Sequence, residues 1–576
     1  MSKEFLKALG VKKSFKELKV SRLAKEMVAL ARKEFREPKG IPLVTYTLYR
    51  EYKRFGGRQG CEAPYFLKRK RFALAVVAAY LTKEQKFLDL ACDHIINICE
   101  ESTWVLPAHE RHSGKIDLFS ADTGLELAEA VGLLADIIPA EITERVKSEV
   151  EKRIFAPYLK YHREMFWHKC SNNWNGVCNS CVGAAFLHLE TDKKRLKKAL
   201  KLVLQGLEAY VNTAFEADGG STEGVSYWIY GLNNYVLFSE LLRHKTKGRP
   251  DLLAAPGLKK IAQYPLKLAL AKGVFANFAD CEEKVYFTPG MIIKLSGRTN
   301  LPELLELLNP PRFLQFLYLE IRNLFWQKDK KTKLLPFSKV NTDSYLKSTQ
   351  VVKLTAKTAS KKDLVLIAKA GHNEENHNHN DVGSFILHVN GENLICDPGT
   401  GLYSRDYFTA KKRYENVFCS SYGHNVPVAG KELQKHGKEF AGKVTAYDPG
   451  RKRVEIEFAK AYGAPGIKSI RRNLLLKAKE NTAVLEDNFL FKNELAVEEA
   501  FLSWFPVKCK GNTALIRGKK STLEITIAEP KGAVFSVKKL ERECKANAKP
   551  GALSRLAFTV PKKSKNIFVQ IIMKIS

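Results

Sequence analysis

The chain lacks any uninterrupted run of the roughly 18 to 20 uncharged apolar residues that a membrane-spanning helix requires, so no membrane partner is expected. Its first twenty residues, MSKEFLKALGVKKSFKELKV, carry basic groups but no apolar stretch leading to a small-residue cleavage site. No secretory leader is read there, and a cytoplasmic location is expected. Cysteines number eleven, an odd count scattered along 576 residues, which fits reduced thiols better than a disulfide framework. Cys178 and Cys181 form one CxxC, in VCNSC, with Cys170 nearby. No second CxxC completes a zinc set and no thioredoxin-like pattern surrounds this one, so both are expected on a buried helix face. Acidic residues are also in short supply: 62 Asp plus Glu against 95 Lys plus Arg leave a formal charge of +33. That field favours anionic partners, among which nucleic acid, anionic membrane and acidic polysaccharide all qualify. Part of the excess solvates helix faces, as in KKRLKKALK.

What is present is enough apolar material, 45% of the residues, to fold a chain too long for one ordinary core. To about residue 326 the apolar spacing is helical, as in RFALAVVAAYLTKEQKFLDLACDHIINICEE, TGLELAEAVGLLADII and KKALKLVLQGLEAYVNTAF. Helices in succession without alternating strands predict an all-α bundle, solenoid or toroid over 1–326. A basic, aperiodic stretch, 327–347, reads as a linker. From 348 to 576 short β-rich runs separated by turn signals predict an antiparallel β-sandwich. The class is thus α+β multidomain, helical domain first.

Three stretches are richer in polar groups than their secondary structure requires. In CSNNWNGVCNSC, Asn172, Asn173 and Asn175 surround Trp174 at a helix entrance, where a single Asn would serve as cap. In EADGGSTEGVSYWIYG, Glu223 and Tyr227 stand four apart and would share a helix face if the helix began near Ser221. Aromatic residues at such spacings are more often core than site. The third stretch, HNEENHNHNDVGSF at 372–385, holds three His, four Asn, two Glu and one Asp ahead of a strand. His377, His379, Asp397 and His424 follow on consecutive β-segments, and two His with one carboxylate suit zinc, although this spacing is not a specific metal signature. Geometry constrains that set. Asn390-Gly391 is a strong hairpin turn, and counting outward pairs Val389 with Glu392 and Ser384 with Asp397. A straight strand would then leave His379 roughly 16 Å from Ser384, so the chain must fold back between Asn380 and Gly383, or Asp381 replaces a ligand.

Together these segments resemble the heparinase II/III-like polysaccharide lyases, through STWVLPAH with IDLFSADTGLELA, NNWNGVCN, DGGSTEGVSYWIYG, HNHNDVGSFILHVNGENLICDPGTGLY and RYENVFCSSYGHN. The resemblance implies an N-terminal incomplete (α/α) toroid, a C-terminal antiparallel β-sandwich, an active cleft between them, and β-elimination at a uronic acid. In that chemistry the C5 proton is abstracted, the C4–O bond breaks and a 4,5-unsaturated uronate remains, with no attacking water. Carbanion character at C5 requires the uronate charge to be tied into hydrogen bonds, which an Asn amide can do. Asn173 matches the neutralising position, which is His in several relatives, and Asn172 adjoins it. Tyr227 matches the tyrosine that protonates the leaving oxygen or serves as base. His377 matches the second proton-transfer group, and His379, Asp397 and His424 match ligands of a structural zinc. Trp104, His109, Asn172, Trp174, Glu223, Arg413 and Tyr414 are candidates for substrate contact.

The resemblance implies an acidic polysaccharide or oligosaccharide as substrate, and a homodimer is left open. Against it stand a non-catalytic glycan-binding or polysaccharide-biosynthesis accessory protein on the same scaffold, and a zinc hydrolase whose His/His/Asp set activates water. A nucleic-acid partner is not expected, since no motif for one is present. Heparan sulfate, alginate, hyaluronan and bacterial exopolysaccharides all present uronates, and the sequence does not choose among them.

Overall fold

The computed structural model describes residues 2–11, 15–19, 21–113, 115–310, 312–313, 316–327 and 342–576. The chain forms two compact units. The first comprises the described residues of Met1–Phe215, Tyr227–Ala262 and Tyr286–Leu335; the second comprises those of Glu216–Ser226, Gln263–Val285 and Pro336–Ser576. Most of the expected linker, 327–347, lies outside the described residues, and its described end already forms a strand, Ser344–Leu346. Among the described residues no helix is long and apolar enough to cross a membrane.

The first unit is helical, as its periodicity predicts. Gln59–Thr82 is buried on every side from Phe72 to Leu81, which explains why its sequence shows an apolar run rather than a stripe. Leu118–Leu133 starts at a capping box in which Asp117 and Ser120 satisfy each other's backbone N–H groups. Lys193–Thr213 keeps its lysine-rich face in solvent and buries Ala199, Val203, Leu207 and Tyr210, the solvated arrangement read from KKRLKKALK. Cys178 and Cys181 are fully buried on Asn173–Leu189, and none of the eleven cysteines forms a disulfide.

The second unit is built from antiparallel sheets. The largest has nine strands, with Thr482–Leu495 and Ser564–Ile575 at its centre and Gly371–Asn373 at one edge. A five-stranded sheet holds Ser344–Leu346, Val351–Lys357, Asp363–Lys369, Phe385–Val389 and Glu392–Ile395 in that order. Residues of both sheets, among them Leu366, Leu387, Ile456, Leu474, Leu485 and Ile571, share one apolar core. A four-stranded sheet completes the unit.

Two departures from the sequence reading matter for the site. The stretch expected to be wholly helical contributes 216–226 and 263–285 to the second unit, including a short hairpin, Ala269–Ala271 with Val274–Phe275. Five residues of strand are too few to register against the helical periodicity around them. In the second unit, Asn390-Gly391 closes its hairpin with φ of +49° and +91° and pairs Val389 with Glu392, as counted. A bulge then shifts the register, so that Leu387 faces Ile395. The pairing of Ser384 with Asp397 is therefore not made.

Candidate functional site

The polar stretch 372–385 does fold back. Ser384 N–H donates to the Asp381 carbonyl at 2.9 Å, closing a tight turn in which Gly383 has φ +91°. A Cβ at Gly383 would stand 2.9 Å from the Phe458 ring, so glycine is required both for backbone angle and for space. Asp381, the rival ligand, accepts from Lys369 Nζ at 2.7 Å instead. The turn brings His379, Asp397 and His424 together, with one donor atom from each inside a 4.8 Å span, all buried.

The ring nitrogens fit a metal. His379 Nε2 donates to Asp280 Oδ1 at 2.9 Å, and its buried Nδ1 has no hydrogen-bond partner. His424 Nε2 donates to the Phe418 carbonyl at 3.2 Å, leaving Nδ1 against Asp397 Oδ2 at 3.0 Å. His379 thus holds its proton on Nε2 and presents an unpartnered Nδ1, whereas His424 faces acceptors through both nitrogens; burial lowers its pKa, and the charge and hydrogen bond of Asp397 overcome that and raise it. With the Nδ1 proton of His424 displaced, the three residues make a nitrogen and oxygen donor set suited to zinc. The Asp280 carboxylate behind His379 is the outer partner that fixes a ligating imidazole. Asp280, His379 and Cys419 also lie within 4.8 Å of one another. That set is the poorer one, because Asp280 is already occupied and burial pushes the Cys419 thiol up to about 12.

Asp280 is the residue that sequence reasoning missed. It sits in ANFADCEEK, where it is the first of three acids close together and nothing in the sequence sets it apart from Glu282 and Glu283. Its carboxylate accepts from His377 Nδ1 at 2.9 Å, His379 Nε2 at 2.9 Å and Arg413 Nη2 at 2.9 Å, and from the Tyr407 hydroxyl. Burial works to raise its pKa; hydrogen bonds from the two histidines and the charges of His379 and Arg413 overcome that and hold it well below the usual carboxylate range.

His377 differs from its neighbour two residues on. Its side chain is 19% exposed, its φ is +57°, and its ring lies parallel to Tyr403. With Nδ1–H committed to Asp280, its Nε2 is the proton-accepting atom, 4.0 Å from Glu223 Oε1. Glu223 is buried in the turn before the helix Val225–Lys245. It does not share a helix face with Tyr227, because Gly224 has φ +78°, a left-handed conformation that interrupts the helix.

In the helical unit, Asn173 is the first residue of Asn173–Leu189, buried at 2% exposure, and Tyr227 is half-buried in the first turn of Val225–Lys245. A Cβ at Gly231 would approach Asn173 Cα to 3.4 Å, so the two helices pack backbone to backbone there. Tyr227 stands one turn before Gly231 on the same face, which gives the pair a common neighbourhood despite 53 intervening positions.

Several expected substrate contacts are committed elsewhere. Trp104 is buried at 1% exposure and its Nε1 donates to the Ile98 carbonyl at 2.8 Å, so it packs the core. Arg413 is buried and spends its guanidinium on Asp280, the Asn378 carbonyl and the Tyr407 carbonyl; it positions the Asp280 cluster rather than meeting a sugar acid. Asn172 caps its helix by accepting from Trp174 N–H at 3.1 Å. Buried His109 bonds Asp117 Oδ2 through Nδ1 at 2.8 Å and packs edge-on against half-buried Trp174, beside the 44% exposed Phe166. The half-buried Tyr414 shares its hydroxyl with His436 Nδ1 at 2.7 Å and stacks on that ring.

Comparison with known proteins agrees with this architecture. No curated protein matches the chain in sequence. A crystal structure of heparinase III is similar in fold at TM-score 0.65 and 15% identity, over 98% of this chain and 86% of that one. The heparan sulfate lyase HepC from Pedobacter heparinus gives 0.56 at 12%, over 96% and 88%. A chondroitin AC lyase from Streptomyces coelicolor gives 0.51 at 10%, over 96% and 83%. Residues 345–572 match the model of the heparinase II/III-like C-terminal domain. That stretch is similar to the heparinase II/III-like C-terminal domain, and the chain as a whole has the fold of heparinase III and related lyases, a helical toroid followed by an antiparallel β-sandwich.

Proposed function

We propose that the chain is a polysaccharide lyase that cleaves uronic-acid-containing acidic polysaccharide or oligosaccharide by β-elimination. The observation that carries this reading is the His377–Asp280 pair. A partly exposed imidazole, its Nδ1–H fixed by a carboxylate held ionised, presents Nε2 as a base.

His377 Nε2 takes the C5 proton, and the Asp280 carboxylate stabilises the imidazolium so formed. The C5 electron pair forms the C4–C5 double bond, the C4–O bond breaks, and the Tyr227 hydroxyl donates its proton to the departing oxygen. Asn173 donates from its amide to the uronate carboxylate as charge develops there. Tyr227 lies in the first turn of a 21-residue helix, where the dipole stabilises the phenolate left after that transfer.

His379, Asp397 and His424 would hold zinc, and the bound ion would pin the 379–381 turn to the segments carrying Asp397 and His424, setting the position of His377. It takes no part in bond breaking. The Asp280 side chain, common to both histidines, couples the support of the metal ligand to that of the base.

The test is incubation with a panel of uronate polymers and oligomers, read by ultraviolet absorbance of the unsaturated product and by product mass. Products 18 mass units lighter at the new non-reducing end than hydrolysis would leave are expected, about one water per cut. Hydrolytic products, or no product from any uronate polymer, would refute the reading.

A further inference from the structure

A groove of about 600 Å³ in the helical unit is lined by two segments, 162–169 and 198–205, and its size is that of small-ligand sites. Its charges are all of one sign. Arg163 and Lys169 come from the first segment, Lys198 and Lys201 from the second, and no carboxylate lines it. Glu164, between Arg163 and Met165 in sequence, is not part of the lining. Among the described residues none of these four cations makes an ion pair. Arg195, one turn before Lys198 on the same helix, does: it pairs with Glu151 and Glu190 at 2.6 and 2.8 Å.

A lysine-rich helix face is ordinarily just solvated. Here Lys198, Lys201 and Gln205 form one stripe of the helix Lys193–Thr213, and they share a concavity with cations from a separate segment. Like charges gathered in a cleft repel one another, and the low-dielectric walls focus their field on an occupant of opposite sign. The field registers on the two histidines of the first segment. Burial, then the charges of Arg163 and Lys198, lower the pKa of His162. Burial also lowers that of His168, and the charges of His162 and Lys169 add to it against the hydrogen bond to Asn179. Among the lining residues Phe166 supplies an exposed ring, which lies 5.1 Å from that of Trp174, next in sequence to Asn173. A single such ring gives one platform, whereas a nucleic-acid strand calls for platforms under successive bases.

We infer that this groove is a second glycan site, which takes the carboxylate or sulfate groups of an acidic oligosaccharide on Arg163, Lys169, Lys198 and Lys201. A pyranose face lies on Phe166, a sugar hydroxyl meets the Gln205 amide, and the chain runs on toward Trp174. The choice of a glycan among anions rests on the lyase reading; the cationic groove does not.

The experiment is calorimetric titration of the full-length His377→Ala protein with hexasaccharides of alginate and of heparin, so that no turnover intervenes. Lys198→Gln with Lys201→Gln is expected to weaken binding of at least one of them about tenfold, and Arg163→Gln severalfold. Added salt is expected to weaken the parent more steeply than the double variant, which has two fewer cations to screen. A control, Lys508→Gln with Lys510→Gln on the strand Val507–Lys510, removes the same charge and is expected to bind as the parent does. All five side chains are exposed, so the folded state is not at stake. Unchanged affinity in both groove variants overturns the inference. So does equal weakening in the control, no binding of either hexasaccharide, or tighter binding of hexathymidylate than of both sugars. Product formation by the unsubstituted protein is read separately. Cleavage with groove-insensitive binding sinks this site and leaves the lyase reading intact, whereas groove-dependent binding without cleavage does the reverse.

Discussion

Two aspartates, both almost without solvent exposure, have their pKa values shifted in opposite directions. Asp122, in the helical unit, accepts from the Cys181 thiol at 3.2 Å and the Tyr230 hydroxyl at 3.1 Å. Burial dominates there, the two hydrogen bonds oppose it only in part, and the carboxyl is pushed up to about 7. Asp280, in the second unit, meets the same burial with two imidazoles and a guanidinium around it, and stays ionised. Burial alone therefore does not mark a functional acid. What separates the two is the partners: a thiol and a phenol around Asp122, against two imidazole N–H groups, a guanidinium and a phenol around Asp280.

Replacing each aspartate by asparagine is the sharpest way to break that contrast. Asp280→Asn puts an amide, with two donors, against two imidazole N–H groups and Arg413, so the fixed tautomers of His377 and His379 are lost together. Initial rates of unsaturated product formation are expected to fall by about 10²- to 10⁴-fold. Zinc retained after dialysis is expected to reflect a roughly 10- to 100-fold weaker site. A variant that keeps both rate and metal would show that Asp280 is only structural.

Asp122→Asn is expected to act on stability and in a pH-dependent way. Because the folded-state pKa lies near 7, above the ordinary 3.8, the fold prefers the protonated carboxyl. That preference contributes fully below about pH 4 and is lost as pH rises through 7, by roughly 4 kcal/mol at most over the window. Urea unfolding at pH 4.5 and 7.5 measures it. The wild type is expected to lose stability between them relative to Asp122→Asn, whose amide does not titrate. Parallel behaviour of the two proteins would place Asp122 in its ionised form.

How far the sequence spoke follows the same physics. The helical and β-rich halves were legible because period 3.6 and period 2 persist over many residues, and the fold-back at 380–383 followed from counting along one hairpin. His379, Asp397 and His424 were grouped by the family resemblance rather than by spacing, and none of the three lies on a strand, so periodicity alone could not have collected them. Asp280 was not legible, since it reaches its partners from a segment roughly a hundred residues earlier that a helical pattern surrounds on both sides. Trp104 and Arg413 were overread for the opposite reason. An aromatic ring or a guanidinium beside a motif looks available until its hydrogen bonds are counted.

The smallest expected effects come from removing one hydroxyl beside each aspartate, and their order is the finer test. Tyr230→Phe leaves Asp122 with the Cys181 thiol alone, a weak donor that is already shared with Asn234 Oδ1 at 3.2 Å. A buried carboxyl oxygen then lacks a partner, at a cost of about 1–3 kcal/mol near neutral pH. The loss should shrink at pH 4.5, where the carboxyl is protonated in either protein. Tyr407→Phe leaves Asp280 with three charge-assisted donors, so its cost is expected nearer 1 kcal/mol and the same at both pH values. Denaturant unfolding of the two variants compares them directly. Should Tyr407→Phe prove the more destabilising, or the pH-dependent one, the ionised state assigned to Asp280 would rest on the phenol rather than on the Arg413 guanidinium and the two imidazole N–H groups.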